Sequence, residues 1–224
     1  MQAIALSLRR RQSGRRAFTL AELMVSMTVF GLATTGAVTF FLQALNMYHY
    51  DGGKLLVNRD IRTLTSEMTS NATYANYFLI YPSFTDRTVT VSGVTSDAAV
   101  NHGQSGDFLV LVYKDETDDT KVSRLVGYYR APANASDPTS QGPVRTFDLT
   151  ISPSTAASVL SLLPATTTLN TNPEVIELSK GLSTGKLFYN FNDRSVMIKG
   201  QIIHRGSLTK AATNTYNFTV SPRG

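Results

Sequence analysis

The chain has 224 residues, 21 Lys and Arg against 16 Asp and Glu, and no cysteine. That length suits one moderate domain with a real core, or one domain with an appended helix, and makes an array of domains improbable. Without cysteine there is neither a disulfide framework nor a thiolate metal site, so the redox compartment is not written in the composition.

The net charge of +5 and isoelectric point near 9.5 would ordinarily point to a polyanionic partner. Their distribution removes that reading. Arg9, Arg10, Arg11, Arg15 and Arg16 supply five of the 21 basic residues, and residues 1–17 contain no acid. Beyond them, 16 basic residues face 16 acidic ones. The basic character belongs to the first 17 residues.

The stretch RRAFTLAELMVSMTVFGL, residues 15–32, sets two arginines and a small residue before an apolar run that holds one carboxylate, Glu22. Residues 23–45 carry no charge. As a helix this segment would span roughly 35 Å at about 1.5 Å per residue, enough to cross a bilayer. The arginines lie before it and no basic residue occurs between Phe18 and Tyr50, which places the first residues in the cytoplasm and the bulk of the chain outside.

Two simpler readings compete with a functional one. A removable secretory signal would cut after Thr35-Gly36-Ala37 and begin the secreted module at Val38, but Val38-Thr39-Phe40-Phe41-Leu42 prolongs the apolar run past that site. A plain membrane anchor would leave Glu22 without a task, although an acid in an apolar layer is costly and normally has a partner.

The same residues resemble the cleavage and methylation signal of type IV prepilins and type II secretion pseudopilins. In that family a basic leader ends in a small residue, the mature chain starts Phe-Thr-Leu or similar, and Glu stands fifth. Ala17, Phe18, Thr19, Leu20, Ala21 and Glu22 fit that register. The residue before the cut is usually Gly and is Ala17 here, small enough for processing at a slower rate. Gly14 is no substitute, since a cut after it would move Glu22 to eighth place.

The resemblance implies that a membrane prepilin peptidase cuts between Ala17 and Phe18 and methylates the new amine of Phe18. It also implies that Glu22 receives the Phe18 ammonium of another subunit and so sets filament register. The implied partners are the peptidase, other pilin or pseudopilin subunits and an inner-membrane assembly platform, with the membrane itself. Single-pass insertion would leave residues 1–17 cytoplasmic and the head periplasmic until the subunit joins a pilus or pseudopilus.

After the apolar segment, Val57, Ile61, Leu64, Met68, Ala72 and Ala75 recur three or four residues apart, which predicts a helix with one apolar face laid against a sheet. This amphipathic stretch is assigned to residues 46–80, with Pro82 closing off helical structure. Between the two halves, Gly52 and Gly53 predict a bend or local melt, because each glycine weakens a helix by roughly 1 kcal/mol relative to alanine.

From residue 87 the period changes to that of strands. Residues 87–94, 107–114, 121–130, 144–151, 174–178, 186–191, 195–204 and 215–220 read as strands separated by Gly, Pro, Asn and Ser clusters. Residues 115–120 read as a hairpin loop. A short helix is expected over 154–163, capped by Ser154 and stopped by Pro164, and residues 131–143 form a polar loop. The fold class is therefore α+β, which the resemblance implies is pilin-like, divided into residues 1–17, 18–45, 46–80 and a β-rich head over 81–224. LFYNFNDRSVMIKGQIIHRG and TYNFTVSPRG also resemble the closing strands of minor pilins and J-type pseudopilins, which favours a minor subunit.

Catalytic chemistry is not indicated. His49, His102 and His204 are far apart and have no ligand-like spacing. Gly103-Gln-Ser-Gly106 is not a nucleophile elbow, and no glycine loop suited to phosphate appears. Asp115, Glu116, Asp118 and Asp119 lack the glycine and final glutamate of an EF-hand. No cofactor and no metal is expected. Residues 18–179 carry a net −6 and residues 180–224 a net +6, which suggests complementary faces within the fold or between subunits. Nucleic acid is a weaker expectation for that basic stretch, as a DNA-binding or adhesive minor pilin would require.

Overall fold

In the computed structural model, residues 18–134, 137, 140–182, 185–204 and 211–223 are described. Helix α1 runs from Leu20 to Tyr74. The chain divides into two compact units, Met1–Leu45 and Asn46–Gly224, so α1 contributes to both. Its helical bonding passes through Gly52 and Gly53 without a break, so the expected local melt is absent. Once a helix is nucleated, each added bond offsets one residue's ordering, and long flanking segments carry two weak positions.

The strands follow in order: β1 Tyr77–Tyr81, β2 Thr88–Val91, β3 Val94–Asp97, β4 Ser105–Gly106, β5 Phe108–Lys114, β6 Val122–Arg130 and β7 Gly142–Thr155. The four-residue helix α2, Val159–Leu162, and a single 3-10 turn at Thr166–Thr168 come next. Strands β8 Glu174–Gly181, β9 Phe188–Phe191, β10 Ser195–His204 and β11 Ala212–Val220 complete the chain.

Nine strands form one antiparallel sheet in the order β1-β5-β6-β7-β8-β10-β9-β4, with β11 beside β10. Strands β2 and β3 form a separate ribbon, turned by Ser92 and Gly93 at positive φ. A long amino-terminal helix followed by an antiparallel head is the α+β architecture expected from the sequence.

The second half of α1 packs on the sheet with the predicted stripe. Val57, Leu64, Met68 and Ala72 are buried, Ala75 follows just after the helix, and Ile61 is partly covered. Each such side chain contributes roughly 1.5–3 kcal/mol when fully removed from water. Pleating divides β5 between two cores. Leu109, Leu111 and Tyr113 face the cluster that includes the helix, whereas Phe108, Val110 and Val112 join Tyr81, Phe84, Tyr129 and Phe147 on the other side, under Val159 and Leu163.

The helix ends at Tyr74, six residues before the predicted boundary, because the following backbone pairs with β5. Asn76 N–H donates to the Val112 carbonyl at 2.9 Å, and Asn76 Oδ1 accepts from Lys114 N–H at 2.8 Å. Tyr77 then pairs with Val112 and Tyr81 with Phe108. A polar latch fastens the last turns: Asn71 Nδ2 donates to Tyr128 Oη at 2.6 Å, Tyr128 donates to Glu67 Oε1 at 3.0 Å, and Tyr113 donates to the Asn71 carbonyl at 2.7 Å.

Other boundaries also moved. Ser154 lies inside β7, which extends to Thr155, and the short helix starts only after Ser158. The reading of residues 87–94 as one strand becomes β2 plus the turn into β3.

Candidate functional site

Phe18 and Thr19 precede the helix, whose first residue is Leu20. Phe18 is 79% exposed. Ala17, the other residue of the expected cut, lies outside the described residues. Glu22 sits in the first turn and is engaged from within its own chain. Thr19 N–H donates to Glu22 Oε2 at 3.0 Å, and Thr19 Oγ1 donates to the same oxygen at 3.1 Å. Glu22 N–H in turn lies 3.2 Å from Thr19 Oγ1.

This is a capping box: residue 19 is the N-cap, residue 22 is the third helical position, and each side chain serves the other's backbone. It satisfies two of the amide donors that a helix leaves open at its start, and the carboxylate sits at the positive end of the helix dipole. The signal was legible as Thr-x-x-Glu before an apolar run. Sequence reasoning assigned Glu22 to assembly alone and missed its partner Thr19.

Beyond Glu22 the helix is apolar, and every residue from 18 to 49 is exposed. The helix is long and apolar enough to cross a membrane. Its hydroxyl side chains are disposed in a way that such a setting requires. Ser26 donates to the Glu22 carbonyl, Thr28 to Val25, Thr34 to Phe30, Thr35 to Gly31 and Thr39 to Thr35, all at 2.7–2.8 Å. Each hydroxyl hydrogen is thus returned to the helix's own backbone, where no water would be present to take it.

Against this geometry, residues 12–38 match the family described as the prokaryotic N-terminal methylation motif. The match identifies the amino-terminal segment as a prepilin-type motif and indicates the type IV pilin and pseudopilin family. No curated protein and no solved structure matches the chain.

Among the described residues, no group of three or more His, Asp and Glu side chains is arranged to hold a metal. His204 is tied between elements: Nε2 lies 2.8 Å from Asp60 Oδ2 on α1, and Nδ1 lies 3.4 Å from Glu177 Oε2 on β8. The acidic hairpin is internally bonded. Asp115 accepts from Thr117 and Asp118 accepts from Thr120 and Lys121, bonds that hold both carboxyls down at about 2.

Of the expected charge complementarity, Lys186 reaches Asp107 at 3.4 Å. Arg87 is buried against aromatic rings, its guanidinium carbon 4.1 Å from the Phe84 ring centre. It donates to the Phe84 carbonyl at 2.5 Å and the Pro164 carbonyl at 2.6 Å, and burial pulls its pKa below the usual value.

Proposed function

We propose that the protein is made as a prepilin, is cut between Ala17 and Phe18 and methylated at Phe18, and enters a pilus or pseudopilus through its amino-terminal helix. The work is mechanical. Apolar helix packing drives polymerisation, and Glu22 sets register by accepting the Phe18 ammonium of a neighbouring subunit. The observation that carries this reading is the methylation motif over residues 12–38, with Glu22 the one Asp, Glu, Lys or Arg between Phe18 and Tyr50.

A place as a minor or tip subunit is supported by the resemblance of β10 and β11 to the closing strands of minor pilins and J-type pseudopilins. Before assembly the subunit would be held in the inner membrane by one span, head in the periplasm, in reach of the peptidase and the assembly platform. The head would then contact sibling subunits or cargo.

The test is the mass of the native amino terminus, read together with filament entry of Glu22→Ala. A chain beginning with methylated Phe18, and a variant that is trimmed and inserted normally but recovered poorly in filaments, are the expected results. A chain beginning at Val38 would establish a conventional secreted module instead. Normal filament entry by Glu22→Ala would remove the register role.

A further inference from the structure

An end strand of a sheet offers unpaired backbone groups to any extended chain that meets it. Two ends of the large sheet are closed. β4 has two residues, and β1 is met along its outer edge by the segment after β3, where Val100 N–H donates to the Ile80 carbonyl at 2.7 Å. Strand β11 differs. It pairs with β10 alone, over nine residues in unbroken register from Val196 opposite Val220 to His204 opposite Ala212. Among the described residues its backbone makes one further bond, from Thr215 N–H to Asn214 Oδ1 at 2.9 Å.

Natural sheets protect such an edge with a charge, a proline or a bulge. Residues 212–220, Ala-Thr-Asn-Thr-Tyr-Asn-Phe-Thr-Val, have none of the three, and Thr, Tyr, Phe and Val favour strands. Thr213, Thr215, Asn217 and Thr219 are exposed, while Ala212, Tyr216 and Val220 are buried. The strand is fixed by its buried side chains and by β10, and its outer edge is open.

Charge says what would meet it. Residues 180–224 hold seven Lys and Arg and one acid, Asp193, which is already engaged by Asn190 Nδ2 at 2.7 Å. Arg194 and Arg223 are exposed and form no ion pair among the described residues. Arg194 lines a crevice with Asp193, Ser221 and Pro222 just beyond the carboxyl end of β11, and Lys210 precedes Ala212 by two positions in the sequence. Cations thus flank the strand in sequence at both ends, with no charge between.

We propose that the outer edge of β11 is a docking surface that takes an extended segment of another protein as an added strand, a segment with carboxylates at its two ends and alternating β-branched residues between them. This deepens the reading above, in which the head contacts sibling subunits or cargo. A second copy of the chain is the poorer occupant: antiparallel pairing of two identical strands would set the Lys210 end of one beside the Arg223 end of the other, and like charges placed opposite each other repel.

The test measures fluorescence anisotropy of a blocked peptide of alternating valine and threonine with acidic residues at both ends, added to the detergent-solubilised full-length protein. Three comparisons accompany it: the same peptide with lysines at its ends, the same peptide N-methylated at alternate residues, and the double variant Arg194→Gln, Arg223→Gln. N-methylation removes strand-forming donors from the probe and leaves the protein untouched. Thr215→Pro removes the N–H that Asn214 accepts, a change tolerated where that N–H faces away from the ladder, and its unfolding midpoint is measured alongside.

The acidic-ended peptide is expected to bind, the N-methylated one to lose binding, and the double variant to bind the acidic peptide about twofold to tenfold more weakly. Thr215→Pro with an unchanged midpoint should also lose binding. No binding of the acidic peptide, equal binding of the N-methylated one, or equal or tighter binding of the lysine-ended one would each overturn the proposal. Self-association of the unchanged chain that Thr215→Pro abolishes would give the edge to a second copy and overturn it too. Peptide binding does not depend on processing, so a native chain beginning at Val38 would remove the prepilin reading and leave this edge standing, whereas methylated Phe18 with no peptide binding would do the reverse.

Discussion

Arg130 and Asp107 face each other in the interior of the head, Nη2 2.6 Å from Oδ2, with the two side chains 0% and 1% exposed. They are the residues where β6 ends and β5 is about to begin, and Arg130 N–H also donates to the Asp107 carbonyl at 3.0 Å. The pair reaches beyond its own strands. Arg130 Nη2 donates to the Gly185 carbonyl at 2.6 Å, and Asp107 Oδ1 accepts from Leu187 N–H at 3.0 Å. One ion pair thus ties the central hairpin to the approach to β9.

Removing one partner should therefore cost far more than the pair's net worth. Asp107→Asn leaves the guanidinium buried beside a neutral amide, and the expected destabilisation is about 3–5 kcal/mol. Denaturant unfolding of the detergent-solubilised full-length protein checks it. The midpoint should fall with the slope unchanged, since the surface exposed on unfolding stays the same.

Arg87 gives the contrasting case. Among the described residues it has no carboxylate partner, its Nη2 atom is buried without a hydrogen bond, and carbonyl oxygens and ring faces receive the rest of the group. A buried charge of this kind contributes little net stability. Arg87→Met, similar in length and without the desolvation cost, is expected to change stability by no more than about 1 kcal/mol in either direction. A loss as large as that of Asp107→Asn in the same unfolding experiment would show that the two carbonyl bonds dominate.

The contrast between these arginines also marks where the sequence was readable. The stripe Val57, Leu64, Met68, Ala72 was legible because helical burial repeats within a few residues. The central strands β5, β6 and β10 were legible because apolar and β-branched runs there are bounded by turn residues. β1, reading Tyr-Phe-Leu-Ile-Tyr, was absorbed into the preceding helix, since a short apolar run has no period that separates helix from strand. β4 has two residues and carries no pattern at all.

At the amino terminus the methylation motif lies within one short stretch, residues 12–38, and was legible there. The Arg130 and Asp107 pair, 23 positions apart, exists only through the register of β5 against β6.

The latch between helix and sheet offers a measurement of how firmly α1 is held by polar contacts. Tyr128→Phe removes the hydroxyl that Asn71 donates to and that donates to Glu67. Both partners are then left short of a bond at a partly buried seam, so the expected loss is about 1–3 kcal/mol. Asn71→Ala should cost a similar amount, and the double variant should cost less than the sum, because the two residues share one bond. Strict additivity in unfolding measurements would mean that they do not cooperate.

Tyr216 predicts the behaviour of the head in alkali. Its ring lies in the core, its hydroxyl is 3.1 Å from Ser179 Oγ, and burial is the largest influence pushing its pKa up to about 12. An unfolded tyrosine ionises near pH 10. The folded state thus holds this proton more tightly, and its stabilising contribution is complete below about pH 10 and is lost as pH rises toward 12. Burial raises Tyr81 and Tyr128 in the same direction. Ultraviolet titration should therefore show a late-ionising group of tyrosines, with thermal stability falling across the same interval. Tyr216→Phe should shrink the late group and flatten that fall, at some cost at neutral pH from the unpaired Ser179. An unaltered alkaline profile in the variant would assign the effect to Tyr81 and Tyr128.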